Sequence, residues 1–185
     1  MRTPASPAFT IEHALLGFFL AGPTHGYAIY GQMLAPGGLW QVWRLKQSHL
    51  YALLAKLEEN GYLAAGVQQQ EAAPPRKVYS LTVAGRAAFD AWLRCPVARG
   101  RQMRIEFLAK FYFVCRQEPA VADHLLAQQM ATCAGWLAEL RQAAPTSQEE
   151  LFAFAVQQFR INQVESFLSW LAECRQALAL PAADV

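Results

Sequence analysis

The stretch QSHLYALLAKLEENGYL, residues 47–63, sets the strongest constraint on what this chain can become. Leu50, Leu53, Leu54 and Leu57 recur at i, i+3, i+4 and i+7, which collects them on one stripe of a 3.6-residue helix. Leaving such a stripe in water forfeits about 2 kcal/mol per leucine, so the helix must be seated on something apolar. Away from the stripe lie Ser48, His49, Tyr51, Ala52, Ala55 and Lys56. That face is small or polar and carries a single large aromatic ring, which suits either water or close approach to a polar surface.

The neighbouring sequence supplies the seat. Residues 10–20 read as a first helix stopped by Gly22-Pro23, and a second is expected over residues 26–35, begun by Thr24 or His25 and ended by Pro36-Gly37-Gly38. The leucine-striped helix follows over residues 47–60, with Ser48 as a candidate cap and Gly61 as a left-handed stop. The period then changes: residues 62–70 and 77–81 read as two strands joined by the turn EAAPPR. Three short helices followed by a two-stranded hairpin predict a winged helical domain. Thr82 can cap a fourth helix running toward Cys95, and Pro96 marks a break.

From Gln102 onward the pattern is helical, with helices expected at 102–116, 119–142 and 147–179. The fold class is therefore mainly α: a winged helix-turn-helix N-terminal domain, residues 1–95, followed by a helical domain, residues 96–185. The last helix is long for a globular domain, and only 16% of all residues are charged. Part of its surface is expected to pack on a second copy of the chain in a symmetric homodimer.

Charge is divided unevenly. Residues 1–100 hold nine Lys/Arg against five Asp/Glu, whereas residues 101–185 hold seven against nine. The basic half can face phosphate. The four cysteines, Cys95, Cys115, Cys133 and Cys174, match no zinc spacing and read as reduced thiols, so neither metal nor cofactor is expected. The early apolar segment FTIEHALLGFFLAG contains Glu12 and His13 and reads as neither a targeting signal nor a membrane span, which makes the cytoplasm the expected location. No nucleophile, base and carboxylate are anchored in a catalytic motif, and no phosphate-binding glycine loop occurs. Enzymatic activity is not expected.

With its leucines seated, the helix at 47–60 would present its opposite face as a major-groove reader. Ser48 and His49 lie near its N-terminus, where they could approach base edges or phosphates, while Tyr51 and Lys56 suit phosphate contacts. Arg76 and Lys77 flank the expected strand tip and are candidates for the backbone beside an adjacent groove. Trp40 and Trp43 read as core or junction residues, and Trp136 and Trp170 as packing side chains of the C-terminal helices.

The segments ALLGFFLAGPTHGYAIYGQM, QSHLYALLAKLEENGYL and PRKVYSLTVAGRAAFDAWL, in that order, resemble the PadR-like transcriptional regulators, bacterial winged helix-turn-helix repressors. The resemblance rests on His25-Gly26-Tyr27, on Tyr51 early in the reading helix, and on Arg76, Tyr79, Leu81, Thr82 and Gly85 in an R-x-x-Y-x-L-T-x-x-G pattern. RIEFLAKFYF and the long last helix resemble the larger C-terminal domain of one branch of the family. The resemblance implies a dimeric repressor of double-stranded DNA with a roughly palindromic operator, responsive to an aromatic or drug-like small molecule. The reading left beside it is a helical protein-interaction module without regulatory DNA binding. Salt-dependent DNA binding by residues 1–95 separates the two.

Overall fold

The computed structural model describes residues 10–68, 76–143 and 151–179. A tightly wound 3₁₀ segment, Ile11–Phe19, is followed by α1 (Gly26–Leu34), a single turn at Leu39–Gln41, α2 (Gln47–Glu59), β1 (Leu63–Gln68), β2 (Arg76–Leu81) and α3 (Val83–Arg94). A short 3₁₀ turn, Gly100–Arg104, leads to α4 (Glu106–Val114), α5 (Pro119–Gln142) and α6 (Leu151–Ala179). The helix expected at 102–116 is thus two pieces, the first wound with i→i+3 bonds such as Gln102 N–H to Arg99 C=O at 2.9 Å. The turn EAAPPR up to Pro75, the end of the first expected strand and the start of the last expected helix lie outside the described residues.

The chain forms two units. One runs to Leu93 and takes in Arg104–Phe113; the other takes Arg94–Met103 and the chain from Val114 on. The chain passes from the first unit to the second after Leu93, and α4 returns to the first unit. Its aromatic face explains why: Phe113 meets Phe18 edge-on at 5.5 Å and Phe89 at 5.4 Å between ring centres.

In the first unit the leucine stripe of α2 is seated as the pattern requires, with Leu50 and Leu54 fully buried and Leu53 and Leu57 nearly so. Helix α2 begins earlier than a Ser48 cap would place it. Lys46 is the extended residue before the helix (φ −63°, ψ 144°), so Ser48 lies exposed in the first turn. At the other end Gly61 adopts φ +73°, which reverses the chain into β1 at no Cβ cost.

Of the two expected starts of α1, Thr24 and His25, it is His25 that caps the helix, its Nδ1 accepting from the Ala28 amide at 3.1 Å. Thr82 caps α3, its Oγ1 accepting from the Gly85 amide at 3.0 Å, and the same hydroxyl lies 2.7 Å from the Gly61 carbonyl as a donor. One side chain thereby ties the start of α3 to the end of α2. Strands β1 and β2 pair antiparallel from Leu63 with Leu81 to Gln68 with Arg76. Thr24 adds a third rung by exchanging both backbone bonds with Tyr79, at 3.0 and 2.8 Å.

Three polar side chains, His13, Glu106 and Lys110, are buried among the described residues of this unit. Lys110, 1% exposed, donates to the Trp92 carbonyl, lies 4.5 Å from the Trp92 ring centre and stands 4.0 Å from Glu106. Glu106 in turn accepts from the Trp92 indole N–H at 3.2 Å. Burial pushes the His13 imidazole below its ordinary value, against the opposing pull of its Thr10 hydrogen bond and the Glu12 carboxylate.

The second unit is built on an antiparallel pair. Asp123 near the start of α5 bonds Arg175 near the end of α6 at 2.7 Å, and Arg141 near the end of α5 bonds Glu165 at 2.7 Å. Ala122, Leu125, Leu126, Gln129 and Cys133 form the buried stripe of α5. Gln129 is buried because it acts like a strand, accepting from the Val97 amide at 2.8 Å and donating to the Val97 carbonyl at 3.3 Å. Burial raises the Cys115, Cys133 and Cys174 thiols, which favours the protonated form. No described helix is long and apolar enough to cross a membrane.

The buried cation makes a testable demand. Lys110→Met removes the charge opposite Glu106 and should lower unfolding stability in urea by about 3 kcal/mol, whereas Lys110→Met with Glu106→Gln should lose less. A single variant as stable as the parent would show that Lys110 does not hold α4 to α3.

Candidate nucleic-acid interface

With its leucines inward, α2 turns Ser48, His49, Tyr51, Ala52, Ala55 and Lys56 outward, and all are exposed. The helix thus shows a face of small and hydrogen-bonding side chains, with Ser48 and His49 in its first turn. The neutral and cationic members of this face have different surroundings.

Tyr51 stands over the start of α1. A Cβ added to Gly26 would fall 2.6 Å from the Tyr51 ring and 3.2 Å from Leu54, so only glycine permits this approach. The ring remains 41% exposed. Beside it, His25, Gly26, Tyr27, Arg76 and Lys77 complete the lining of a cleft of about 310 Å³. His25 and Tyr27 stack at 6.4 Å between ring centres, and Tyr27 is 68% exposed. The structure therefore brings Tyr51, Arg76 and Lys77 to one cleft, adds His25 and Tyr27, and leaves Ser48, His49 and Lys56 outside its lining. The HGY segment holds both added residues: His25 and Tyr27 flank Gly26, the glycine on which Tyr51 rests.

The cations are less open to a ligand than their sequence positions suggest. Lys56 Nζ is held by Glu12 at 2.7 Å, and Lys77 Nζ by Glu58 at 2.6 Å while lying 5.1 Å from the Tyr79 ring centre. The Glu58 hydrogen bond raises the Lys77 ammonium above its ordinary value, so the charge itself is secure. Arg76 forms no ion pair among the described residues. Of the three cations proposed for phosphate, Arg76 is the one whose charge is not already answered by a carboxylate. Exposed pairs of this kind are weak and exchange readily for another anion.

Comparison with known proteins gives this face a context. The pattern described as "Transcriptional regulator PadR-like family" matches residues 15–91, and "Virulence activator alpha C-term" matches residues 103–179. Residues 15–91 form a domain of the PadR-like type found in transcriptional regulators. A curated relative, the negative transcriptional regulator PadR of Bacillus subtilis, is 28% identical over 145 residues, 78% of this chain and 76% of that protein. Solved structures of Bacillus subtilis PadR are similar at lower identity. The complex with operator DNA is 22% identical, covering 91% of this chain and 98% of that one, with a TM-score of 0.43. The complex with p-coumaric acid is 23% identical, covering 92% and 99%, with a TM-score of 0.40. The chain is a mainly helical DNA-binding regulator with a winged helix-turn-helix unit.

The Glu58–Lys77 pair predicts a gain of function. Glu58→Gln removes the carboxylate that competes with phosphate, so binding to unrelated duplex should tighten at low salt and its salt slope should steepen by up to about one unit. Identical slopes for parent and variant would place Lys77 away from the nucleic acid.

Proposed function

We propose that this PadR-like protein is a repressor that reads a roughly palindromic operator as a homodimer, with α2 of each subunit in the major groove. Ser48 and His49 approach base edges or phosphates there, Tyr51 bonds a phosphate, and Arg76 and Lys77 hold the backbone beside the adjacent groove. Lys56 contributes only after leaving Glu12. The observation that carries this reading is the division of α2 into a buried leucine stripe and an exposed face of small and hydrogen-bonding residues.

In this reading residues 1–95 contain the DNA-binding elements and residues 96–185 the dimer contacts. The exposed Leu151, Phe152 and Phe159 on α6 support that assignment: these side chains remain 64–82% exposed in one chain, and a second copy would cover them. A small molecule, aromatic or drug-like, releases the repressor from DNA. The name of the curated relative, a negative regulator, favours repression over activation. The protein works in the cytoplasm, where its DNA is, and no catalytic step enters the mechanism.

Tyr51→Phe separates binding from folding. Removing one exposed hydroxyl should leave the melting temperature of the free protein nearly unchanged while weakening operator binding by about 1 kcal/mol at fixed salt. Leu54→Ala, by contrast, should cost about 2–5 kcal/mol of stability and lose DNA through loss of the fold. A Tyr51→Phe protein that melts early yet binds DNA as before would mean that the ring serves packing over Gly26 and not the operator.

A further inference from the structure

Within the second unit, the 98–101 segment, α5 and α6 line an open cleft of about 440 Å³ that the DNA reading does not use. Its lining includes Arg99, Arg101 and Arg160, with Trp136, Glu139 and Gln163. We propose that this cleft binds a small, multiply charged anion bearing a planar ring, a phosphorylated ligand of the nucleotide class.

Charge is the first argument. The unit as a whole holds seven Lys/Arg against eight Asp/Glu, yet three of its arginines line this one cleft against a single carboxylate. Elsewhere in the unit Arg141 and Arg175 are answered by Glu165 and Asp123. Among the described residues Arg99, Arg101, Arg160 and Glu139 enter no ion pair. Among the described residues these three exposed guanidiniums gather on a net acidic unit without a carboxylate partner, which leaves their donors open to an anion. A single carboxylate ligand would leave two of them uncompensated, whereas a phosphate ester offers a nearly doubled charge and several acceptor oxygens to planar donor forks.

The remaining lining describes the rest of the ligand. Trp136 is half-buried in the cleft and supplies a flat apolar surface on which a planar ring can stack. Glu139 can only accept and Gln163 can do both, so they suit a ring edge that carries N–H donors. The volume lies in the range of small-molecule sites and exceeds what one small ring would fill. Gly100 bounds the cleft: a Cβ there would meet only Phe167 at 3.7 Å and Gln163 at 3.9 Å, so a larger side chain can be introduced to occupy the space without striking backbone.

Trp136 is therefore more than the packing residue its sequence context suggests. The inference concerns the second unit alone and does not depend on how α2 meets DNA, because binding is measured without DNA.

Isothermal titration of the full-length protein with GMP, guanosine, inorganic phosphate and benzoate tests it. GMP should bind measurably, more tightly than guanosine, phosphate or benzoate. Arg160→Gln should weaken GMP about tenfold or more. Trp136→Leu should weaken GMP while leaving the weaker phosphate binding unchanged, and Gly100→Leu should abolish GMP binding with the melting temperature retained. No heat with GMP, equal affinity for benzoate, or GMP binding indifferent to Arg160→Gln and Trp136→Leu would overturn the proposal. Loss of operator binding with GMP binding intact would leave this site standing while removing the DNA reading.

Discussion

The burial of four leucines on one side of α2 governs the rest of the first unit. Because Leu50, Leu53, Leu54 and Leu57 share one stripe, their demand for an apolar seat fixes the rotation of the helix as well as its position. Once that rotation is set, Ser48, His49, Tyr51, Ala52 and Ala55 have nowhere to point but outward. The supporting contacts keep the helix from rolling. Gly26 lets Tyr51 rest on α1, Gly61 turns the chain at the end of α2, and Thr82 bonds that same turn to α3. The exposed face of α2 is a consequence of core packing, and a substitution on one side need not disturb the other.

Electrostatics on the same surface is moderated by the protein's own acids. Glu12 and Glu58 occupy the ammonium groups of Lys56 and Lys77, which leaves Arg76 to present the less answered charge. Pairs this exposed cost little to break, so phosphate can replace either carboxylate when DNA approaches. A surface arranged this way suppresses binding to arbitrary polyanions more than it suppresses binding to a site where base contacts also form. Weak net charge and a specific reading face are therefore compatible, and the chain's formal charge of +2 need not be larger.

Much of this was legible in the sequence because it rests on local rules. The leucine spacing gave the buried face, the glycine after Asn60 gave the end of α2, and Thr82 stood at the start of α3 as a cap should. The contacts that were not legible are those between residues far apart in the chain. Nothing local to Lys56 announces Glu12, 44 residues away, and nothing local to RIEFLAKFYF reveals that α4 packs with α3 through Lys110 and Trp92. The Ser48 cap failed for a smaller reason: the backbone was already extended at Lys46, so the helix could begin before the serine. His25 and Tyr27 joined the candidate site only when α1 and β2 were seen to flank Tyr51. The cleft of the second unit was the least legible, since Arg99, Arg101, Trp136 and Arg160 share it without sharing a motif.

The central claim is that the exposed face of α2 enters the major groove. Chemical probing of an operator selected from genomic fragments tests it directly, because guanine N7 lies in the major groove and adenine N3 in the minor. With the protein bound, dimethyl sulfate should be excluded from guanine N7 in two half-sites about one helical turn apart, and Ser48→Ala with His49→Ala should restore reactivity at the guanines nearest the helix N-terminus. Protection confined to adenine N3, or guanine protection indifferent to those two substitutions, would contradict the account.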